Sequence, residues 1–193
     1  MKKKVAVAMS GGVDSSLTAA LLIEQGYDVI GVTMTLSDES REAGGSTAVS
    51  DAKKVADALN IPHYVVNYHK KFKDDVIKYF ISEYAKGRTP NPCVRCNNTV
   101  KFGSLLKDCL ELGADCVATG HYARIEQDEK TGRYLLKKGL DVRKDQSYVL
   151  YTLTQDVLKH FMLPLGNYSK EKTRELAGKM NLPVANKPES QEI

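Results

Sequence analysis

No stretch of this sequence is long and apolar enough to cross a bilayer, which takes about 18 residues or more. The first apolar run, residues 5–9, follows the basic start Met1-Lys2-Lys3-Lys4 and ends before Ser10. It is too short for the hydrophobic region of a secretory signal. We therefore expect a cytoplasmic protein without a membrane partner.

Cysteine is scarce, with 4 in 193 residues. So few cysteines exclude a scaffold held by many disulfides, and we expect reduced thiols that bind metal, act in catalysis or pack in the core. Internal repeats and low-complexity tracts are also missing. A hydrophobic content of 42% and a net charge of +4 are typical of one globular domain. The small positive charge favours a polyanionic partner without identifying one.

The most specific motif is a glycine-rich turn after the first apolar run, Ser10-Gly11-Gly12-Val13-Asp14-Ser15-Ser16. Glycine lets an anion approach the backbone, and the following helix start offers unpaired N–H groups. The turn contains no lysine, so it is not the loop G-x-x-x-x-G-K-[ST] that holds a transferring γ-phosphate. We expect a cradle for a pyrophosphate that leaves. The alternative is an ordinary strand-to-helix turn with Asp14 or Ser15 as the N-cap.

Apolar runs alternate with helix-period segments, which predicts right-handed βαβ units. Strands are predicted at residues 5–9, 29–34, 63–66 and 116–119, helices at 15–25, 50–59, 72–84, 100–112, 145–161 and 169–180, and a hairpin at 123–138. The predicted fold class is α/β, a parallel β-sheet with helices on both faces, plus a small β-hairpin and a C-terminal helical segment. The core sheet is expected within about residues 1–140, a helical extension over about 141–193, and a polar loop at 37–46.

The crevice of such a sheet is the expected binding site, because parallel sheets bind ligands at the carboxyl ends of their strands. Three segments follow predicted strands: the glycine-rich turn, Met34-Thr35 and Gly120-His121. We expect these segments to lie around one crevice.

A second motif, Cys93-x-x-Cys96, lies in a predicted loop over residues 87–98. Its thiols are close enough to share a metal or to react with each other. Neighbouring Arg88 and Arg95, and a predicted helix start near Asn98, are expected to lower the thiol pKa and favour the thiolate.

The remaining cysteines, Cys109 and Cys116, lie in a predicted helix and a predicted strand. We expect both to pack in the core, since a free cysteine behaves there as a small hydrophobe. A structural zinc needs two further ligands at matching spacing, so the pair alone is a weak signal for zinc, for disulfide exchange or for a cluster.

The motifs together are far more specific than either alone. Residues 10–16 resemble the PP-loop of ATP pyrophosphatases, which have the adenine nucleotide alpha hydrolase-like fold. With residues 87–102, 118–124, 144–150 and the tail 186–193, all in this order, the chain resembles the bacterial tRNA-specific 2-thiouridylase family (tRNA-uridine 2-sulfurtransferases). The resemblance covers nearly the whole chain.

The resemblance implies ATP-dependent 2-thiolation of the wobble uridine of tRNA, with ATP and Mg²⁺ as cofactors. ATP adenylates the uracil 2-carbonyl oxygen, pyrophosphate leaves, and sulfur then displaces AMP. The expected partners are tRNA and, as sulfur donor, a cysteine desulfurase or a sulfur-relay protein. Asp14 is an expected contact of Mg²⁺ or of the phosphate network, and Tyr122 is a candidate to stack on the base.

Site residues follow from the same resemblance. ATP is expected on Ala8, Met9, Ser10, Gly11, Gly12, Val13, Asp14 and Ser15, with Met34 and Gly120 beside the adenosine. The target base is expected on Asn91, Pro92 and Cys93, and other tRNA contacts on His121, Lys144, Asp145 and Gln146.

The resemblance implies that Cys96 is the catalytic nucleophile, with Cys93 beside it. The alternative is that Cys93 and Cys96 are two ligands of a 4Fe–4S cluster, with a third beyond Ile193. The family's second catalytic cysteine follows the S-Q-E-I segment, so the 193 residues are expected to bind ATP without completing thiolation. Two other functions stay open: another PP-loop adenylating enzyme, and a nucleotide- or metal-binding module with structural zinc.

Overall fold

The computed structural model describes residues 2–36 and 47–188. Its strands are β1 (Lys4–Ala8), β2 (Asp28–Thr35), β3 (His63–Asn67), β4 (Cys116–Ala118), β5 (Ala123–Gln127), β6 (Tyr134–Lys138) and β7 (Phe161–Met162). Its α-helices are α1 (Val13–Glu24), α2 (Thr47–Ala58), α3 (His69–Phe72), α4 (Lys78–Ala85), α5 (Pro92–Cys96), α6 (Leu106–Glu111), α7 (Gln155–Leu158) and α8 (Lys170–Lys179). Two π-helical segments, Lys73–Ile77 and Asn97–Leu105, join α3 to α4 and α5 to α6. The polar loop expected at 37–46 lies outside the described residues.

The main sheet has the strand order β3-β2-β1-β4-β7, and every neighbouring pair is parallel. Strand β1 lies in the middle, with Val5 paired to Val29 on one side and to Cys116 on the other. Val5, Ala6 and Val7 are fully buried, as expected for a parallel strand covered on both faces.

Helices cover both faces of the sheet. Successive residues of β1 point to opposite faces, and the two sets pack in different apolar clusters. Val5 and Val7 pack with the apolar side chains of α1 and α2, including Leu22 and Val55. Ala6 belongs to a second cluster that contains Val100, Phe102 and Leu105 of the second π segment. The predicted α/β architecture is therefore confirmed.

The predicted hairpin is confirmed as the antiparallel pair β5–β6, with Ala123 opposite Lys138. Its turn is held by the Asp128 carboxylate, which accepts hydrogen bonds from the backbone N–H groups of Lys130 and Thr131. The last predicted helix is confirmed as well. Ser169 is its N-cap, and the Ser169 hydroxyl accepts a hydrogen bond from the N–H of Lys172 at 3.1 Å.

The predicted helix at 145–161 is wrong. This stretch contains a 3₁₀ turn at Ser147–Val149, the one-turn helix α7 and the short strand β7. Asp145 explains the early break, since its carboxylate accepts hydrogen bonds from the N–H groups of Gly139 and Ser147 and so competes with helix formation. Because β7 pairs with β4, the main sheet also extends into the region expected to be a helical extension.

The cysteine motif is also more ordered than expected. Residues 92–96 form helix α5, and the helix expected to begin near Asn98 begins at Pro92. The Asn91 side chain caps this helix by accepting a hydrogen bond from the N–H of Val94 at 3.2 Å. In the described part of the chain, no helix is both long and apolar enough to span a membrane.

Gly166, in a 3₁₀ turn at Pro164–Asn167, offers a test of the packing between that turn and the hairpin. A Cβ added to Gly166 would lie 2.0 Å from the carbonyl oxygen of Ala123, whereas a Cβ on Gly178 of α8 meets nothing within 4 Å. We expect Gly166→Ala to lower the free energy of unfolding by about 1–3 kcal/mol. The control Gly178→Ala should leave the free energy of unfolding unchanged or raise it by up to about 1 kcal/mol. Urea denaturation measures both values, and equal midpoints would contradict this packing.

Candidate functional site

The glycine-rich turn connects β1 to α1 at the carboxyl edge of the sheet. Gly11 has φ +70°, and a Cβ there would lie 2.4 Å from the carbonyl oxygen of Ala48, so both conformation and space require glycine. Gly12 occupies the N-cap position in extended conformation, and no side chain among the described residues caps the helix. The first turn of α1 therefore presents its N–H groups and its positive end to a ligand.

The serines of the turn bond within it. The Ser15 hydroxyl accepts a hydrogen bond from the N–H of Ser10 at 3.1 Å, and the Ser16 hydroxyl donates to the Gly12 carbonyl at 2.8 Å. Both side chains are buried. Because Gly12 is the N-cap, the alternative of an N-cap at Asp14 or Ser15 is wrong.

Gly120, two residues beyond β4, lies directly against this turn. A Cβ on Gly120 would be 2.9 Å from both the Asp14 Cβ and the Ser15 nitrogen. Met34 is the last but one residue of β2, and the buried Thr33 hydroxyl donates to the carbonyl of Met9 at 2.9 Å. The segments expected around one crevice therefore lie at the same edge of the sheet.

The Asp14 side chain connects the turn to two distant parts of the chain. The Lys170 ammonium lies 2.7 and 2.8 Å from its two carboxylate oxygens, and the Tyr122 hydroxyl donates to one of them at 2.9 Å. Tyr122 is buried, and its ring cannot stack on a base there, so the stacking prediction is wrong. Lys170 lies in no recognisable motif, so its contact with the turn was not predicted from the sequence.

A second lysine, Lys187, reaches the turn from the last described segment of the chain. Its ammonium donates to the Gly11 carbonyl at 3.1 Å and to the Asp51 carboxylate at 2.8 Å. Hydrogen bonds from Lys187 and then Lys54 hold the pKa of Asp51 below its ordinary value. The Lys187 carbonyl accepts a hydrogen bond from Arg174 of α8, which fixes the segment beside the turn.

The other motifs join the turn through successive contacts. The N–H of Tyr122 donates to the Gln146 side chain at 3.0 Å, and the buried Asn97 amide donates to the carbonyl of Val149 at 3.3 Å. These bonds link residues 118–124 to 144–150, and 144–150 to the cysteine motif. The side-chain oxygen of Asn97, Oδ1, is buried and has no hydrogen-bond partner among the described residues.

Two expected tRNA contacts have structural roles in this arrangement. Asp145 bonds the backbone that closes the hairpin, as described above, and hydrogen bonding lowers its pKa against the opposing effect of burial. His121 is hydrogen-bonded to the Thr119 hydroxyl through Nδ1 at 2.7 Å. Burial, assisted by the charge of Lys101, lowers the pKa of His121 to about 3, so the imidazole is neutral at physiological pH.

Cys93 and Cys96 lie on one face of the short helix α5, three residues apart. Cys96 is buried and Cys93 half-buried. Burial raises the pKa of the Cys96 thiol, and Lys101 only partly opposes this. The expected lowering is therefore wrong for Cys96.

The arginines do not reach the thiols because they are engaged elsewhere. The Arg88 guanidinium lies 2.6 Å from the Glu83 carboxylate. Arg95 donates to the carbonyl of Asp75 at 3.0 Å and lies over the Tyr79 ring. Neither charge therefore compensates the burial of Cys96.

The described residues do not complete a metal site around this pair. No group of three or more His, Cys, Asp or Glu side chains in the described ranges could hold a metal ion. Cys109 and Cys116 are buried in the core, as predicted. The two thiols thus match only part of the ligand set of a zinc or a 4Fe–4S cluster, and we derive no step through either.

A wide, open depression lies at the opposite, amino-terminal edge of the sheet. It is lined by Lys2, Lys4, Tyr27, Asp28 and Asp115, among others. Ligands of parallel sheets bind at the carboxyl edge, and the motifs converge there, so this depression is not the candidate site.

A family model described as the tRNA methyl transferase HUP domain matches residues 3–193. The chain belongs to this family. It is 59% identical over 201 aligned positions to the tRNA-specific 2-thiouridylase MnmA 1 of Caldanaerobacter subterraneus subsp. tengcongensis, and 55% identical over 199 to the tRNA-specific 2-thiouridylase MnmA of Clostridioides difficile. Each alignment covers 100% of this chain and 55% of the relative, so the chain spans about half the length of these family members.

Solved structures show the same fold at low sequence identity. The U34-tRNA thiolase NcsA of Methanococcus maripaludis, determined with its [4Fe-4S] cluster, has a TM-score of 0.62 at 20% identity, over 100% of this chain and 62% of that one. A 4-thiouridine synthetase in complex with RNA and ATP has a TM-score of 0.61 at 19% identity, over 99% of this chain and 44% of that one. The identity to the two MnmA relatives confirms the resemblance to tRNA 2-thiouridylases that the sequence motifs indicated.

The buried Cys96 thiol predicts an unusual alkylation profile. At pH 7.5, Cys96 in a Cys93→Ser variant should react with iodoacetamide more slowly than free cysteine, because its pKa is raised and less of it is thiolate. The rate should still be rising above pH 9. Cys93 in the matched Cys96→Ser variant is the more exposed control. A Cys96 rate that levels off below pH 8 would contradict the raised pKa.

Proposed function

We propose that this chain is the ATP-binding and base-activating part of a tRNA-uridine 2-sulfurtransferase that thiolates the wobble uridine. The observation that supports this most is the position of the cysteine helix. Cys93 and Cys96 are linked through Asn97, Val149, Gln146 and Tyr122 to the uncapped start of α1. The identity to 2-thiouridylases along the whole chain supports the same activity.

ATP binds with its phosphates on the N–H groups between Gly11 and Ser15, where the dipole of α1 favours negative charge. Because Gly120 has no side chain, the loop after β4 packs directly against Asp14 and Ser15, and Met34 lies at the adenosine side. The uracil 2-carbonyl oxygen attacks the α-phosphorus. The bond from that phosphorus to the oxygen that bridges to the β-phosphate breaks, and pyrophosphate leaves with the electron pair.

Mg²⁺ is expected to enter with ATP. Asp14 is the carboxylate on the turn, and in the described residues there is no further cluster of ligands to form a metal site from protein alone. A Mg²⁺ ion is commonly held by one or two carboxylates together with substrate phosphates and water. Both oxygens of Asp14 bond the Lys170 ammonium, so Asp14 would hold the ion only where that ammonium moves to the phosphates. The ion would supply charge neutralisation of the phosphates.

Cys96 then serves the second half of the reaction, in which sulfur displaces AMP from the activated base. Because burial keeps the thiol protonated, it needs a local opening or a base before it can act as a thiolate. The expectation that the 193 residues alone do not complete thiolation stays a prediction, as does the identity of the sulfur donor. The glycine-rich turn alone would suit any adenylating enzyme, but the thiol pair that hydrogen bonds link to it favours sulfur transfer.

Pyrophosphate release tests the activation step. We expect ATP, Mg²⁺ and unmodified tRNA with a wobble uridine to give at least tenfold more pyrophosphate than the same mixture with a wobble cytidine. Gly120→Ala should abolish the stimulation, since its Cβ would press on Asp14 and Ser15. Gly178→Ala, which meets nothing within 4 Å, is the matched control.

Two outcomes would contradict the proposal. The first is pyrophosphate release that does not depend on tRNA. The second concerns a longer protein that contains this chain and thiolates tRNA. If its Cys96→Ser variant still formed 2-thiouridine, the role of Cys96 would have to be abandoned.

A further inference from the structure

Two lysines from the C-terminal part of the chain converge on a phosphate turn that has no lysine of its own. Lys170 lies 156 positions after its partner Asp14, and Lys187 lies 176 positions after its partner Gly11. Both reach the turn with their ammonium groups, at 2.7 Å from the Asp14 carboxylate and 3.1 Å from the Gly11 carbonyl. The chain therefore places positive charge at the turn from outside it.

The location is unfavourable for a cation unless an anion is near. Lys170 is the first residue of α8, and Asp14 lies in the first turn of α1, so the ammonium lies close to two helix N-termini, whose dipoles favour negative charge. The Lys170 side chain is only 12% exposed, and burial of an ammonium group is costly without a charged partner. Asp14 offsets this cost with both of its carboxylate oxygens.

Lys187 is held in the same manner. Its ammonium bonds the Asp51 carboxylate at 2.8 Å as well as the Gly11 carbonyl, and its side chain is 32% exposed. Each lysine thus pairs with a carboxylate that keeps its ammonium beside the turn. The ring of Tyr122, 5.7 Å from the Lys170 ammonium, limits where that side chain can go.

We propose that Lys170 and Lys187 bind the β- and γ-phosphate oxygens of ATP and stabilise the pyrophosphate as it leaves. They supply from the C-terminal segment the charge that other phosphate loops take from a lysine within the loop. Preorganised cations at a site of developing negative charge lower the barrier to departure. The inference rests on the proposed function, since it assigns phosphate contacts within the same site.

Ligand affinities test this role with alanine variants and matched controls. Lys170→Ala and Lys187→Ala should each weaken binding of ATP and of inorganic pyrophosphate by about 10- to 100-fold, the value of a charge-assisted hydrogen bond. Adenosine affinity should change less than twofold. Lys172→Ala and Lys179→Ala are the controls on α8, because their ammonium groups pair with Glu175 on the surface. Both controls should bind all three ligands like the parent chain.

A merely structural role for Lys170 predicts a different pattern. If Lys170 only holds Asp14 in place, Lys170→Ala and Asp14→Asn should lower the affinity for ATP and the affinity for adenosine by the same factor. That result would overturn the inference. Lys170→Arg, which keeps the charge, should retain most of the pyrophosphate affinity. If Lys170→Ala does not fold by circular dichroism, Lys170→Gln, which can still donate to Asp14, decides between the same outcomes.

The two proposals fail in distinguishable ways. If the parent chain binds neither ATP nor pyrophosphate, the proposed function fails. If the parent chain binds both and the two lysine variants bind them equally well, only the assignment of Lys170 and Lys187 fails.

Discussion

Asp14 accepts hydrogen bonds from Lys170 and Tyr122, and so joins three parts of the chain that are far apart in sequence. It lies in the first turn of α1, Tyr122 follows β4, and Lys170 begins α8. These bonds bring the last helix to the phosphate turn and position the loop after β4, where Gly120 packs directly against Asp14 and Ser15. Removal of the carboxylate would take from a mostly buried ammonium group the partner that bonds it through two oxygens. The arrangement of the candidate site therefore depends on this interaction.

The parallel sheet was predictable from the sequence because its strands are buried on both faces. Val5, Val7 and Val29 lie in short apolar runs, and such runs alternate with helical segments. The hairpin and the Ser169 cap also have local signals, namely turn residues and a side chain that accepts a backbone hydrogen bond. The stretch at 145–161 could not be predicted in this way, since Asp145 bonds Gly139, six residues earlier, across the end of the hairpin.

The lysines and the cysteines show what local sequence does not contain. Lys170 and Lys187 look like ordinary surface lysines, and only the tertiary fold brings them to residues near the amino terminus. Arg95 neighbours Cys96 in sequence, yet its guanidinium points to the carbonyl of Asp75. Burial then raises the Cys96 pKa. The position of a charge near a thiol depends on packing, which sequence distance does not report.

In the proposed function, a nucleotide is activated at the phosphate turn and sulfur is transferred at the cysteine helix. A crystal structure of this chain with a non-hydrolysable ATP analogue is the most direct measurement of that claim. We expect phosphate oxygens within about 3 Å of the N–H groups between Gly11 and Ser15, the usual distance of an N–H···O bond. Phosphates bound at the amino-terminal edge of the sheet, around Lys2 and Lys4, would contradict it.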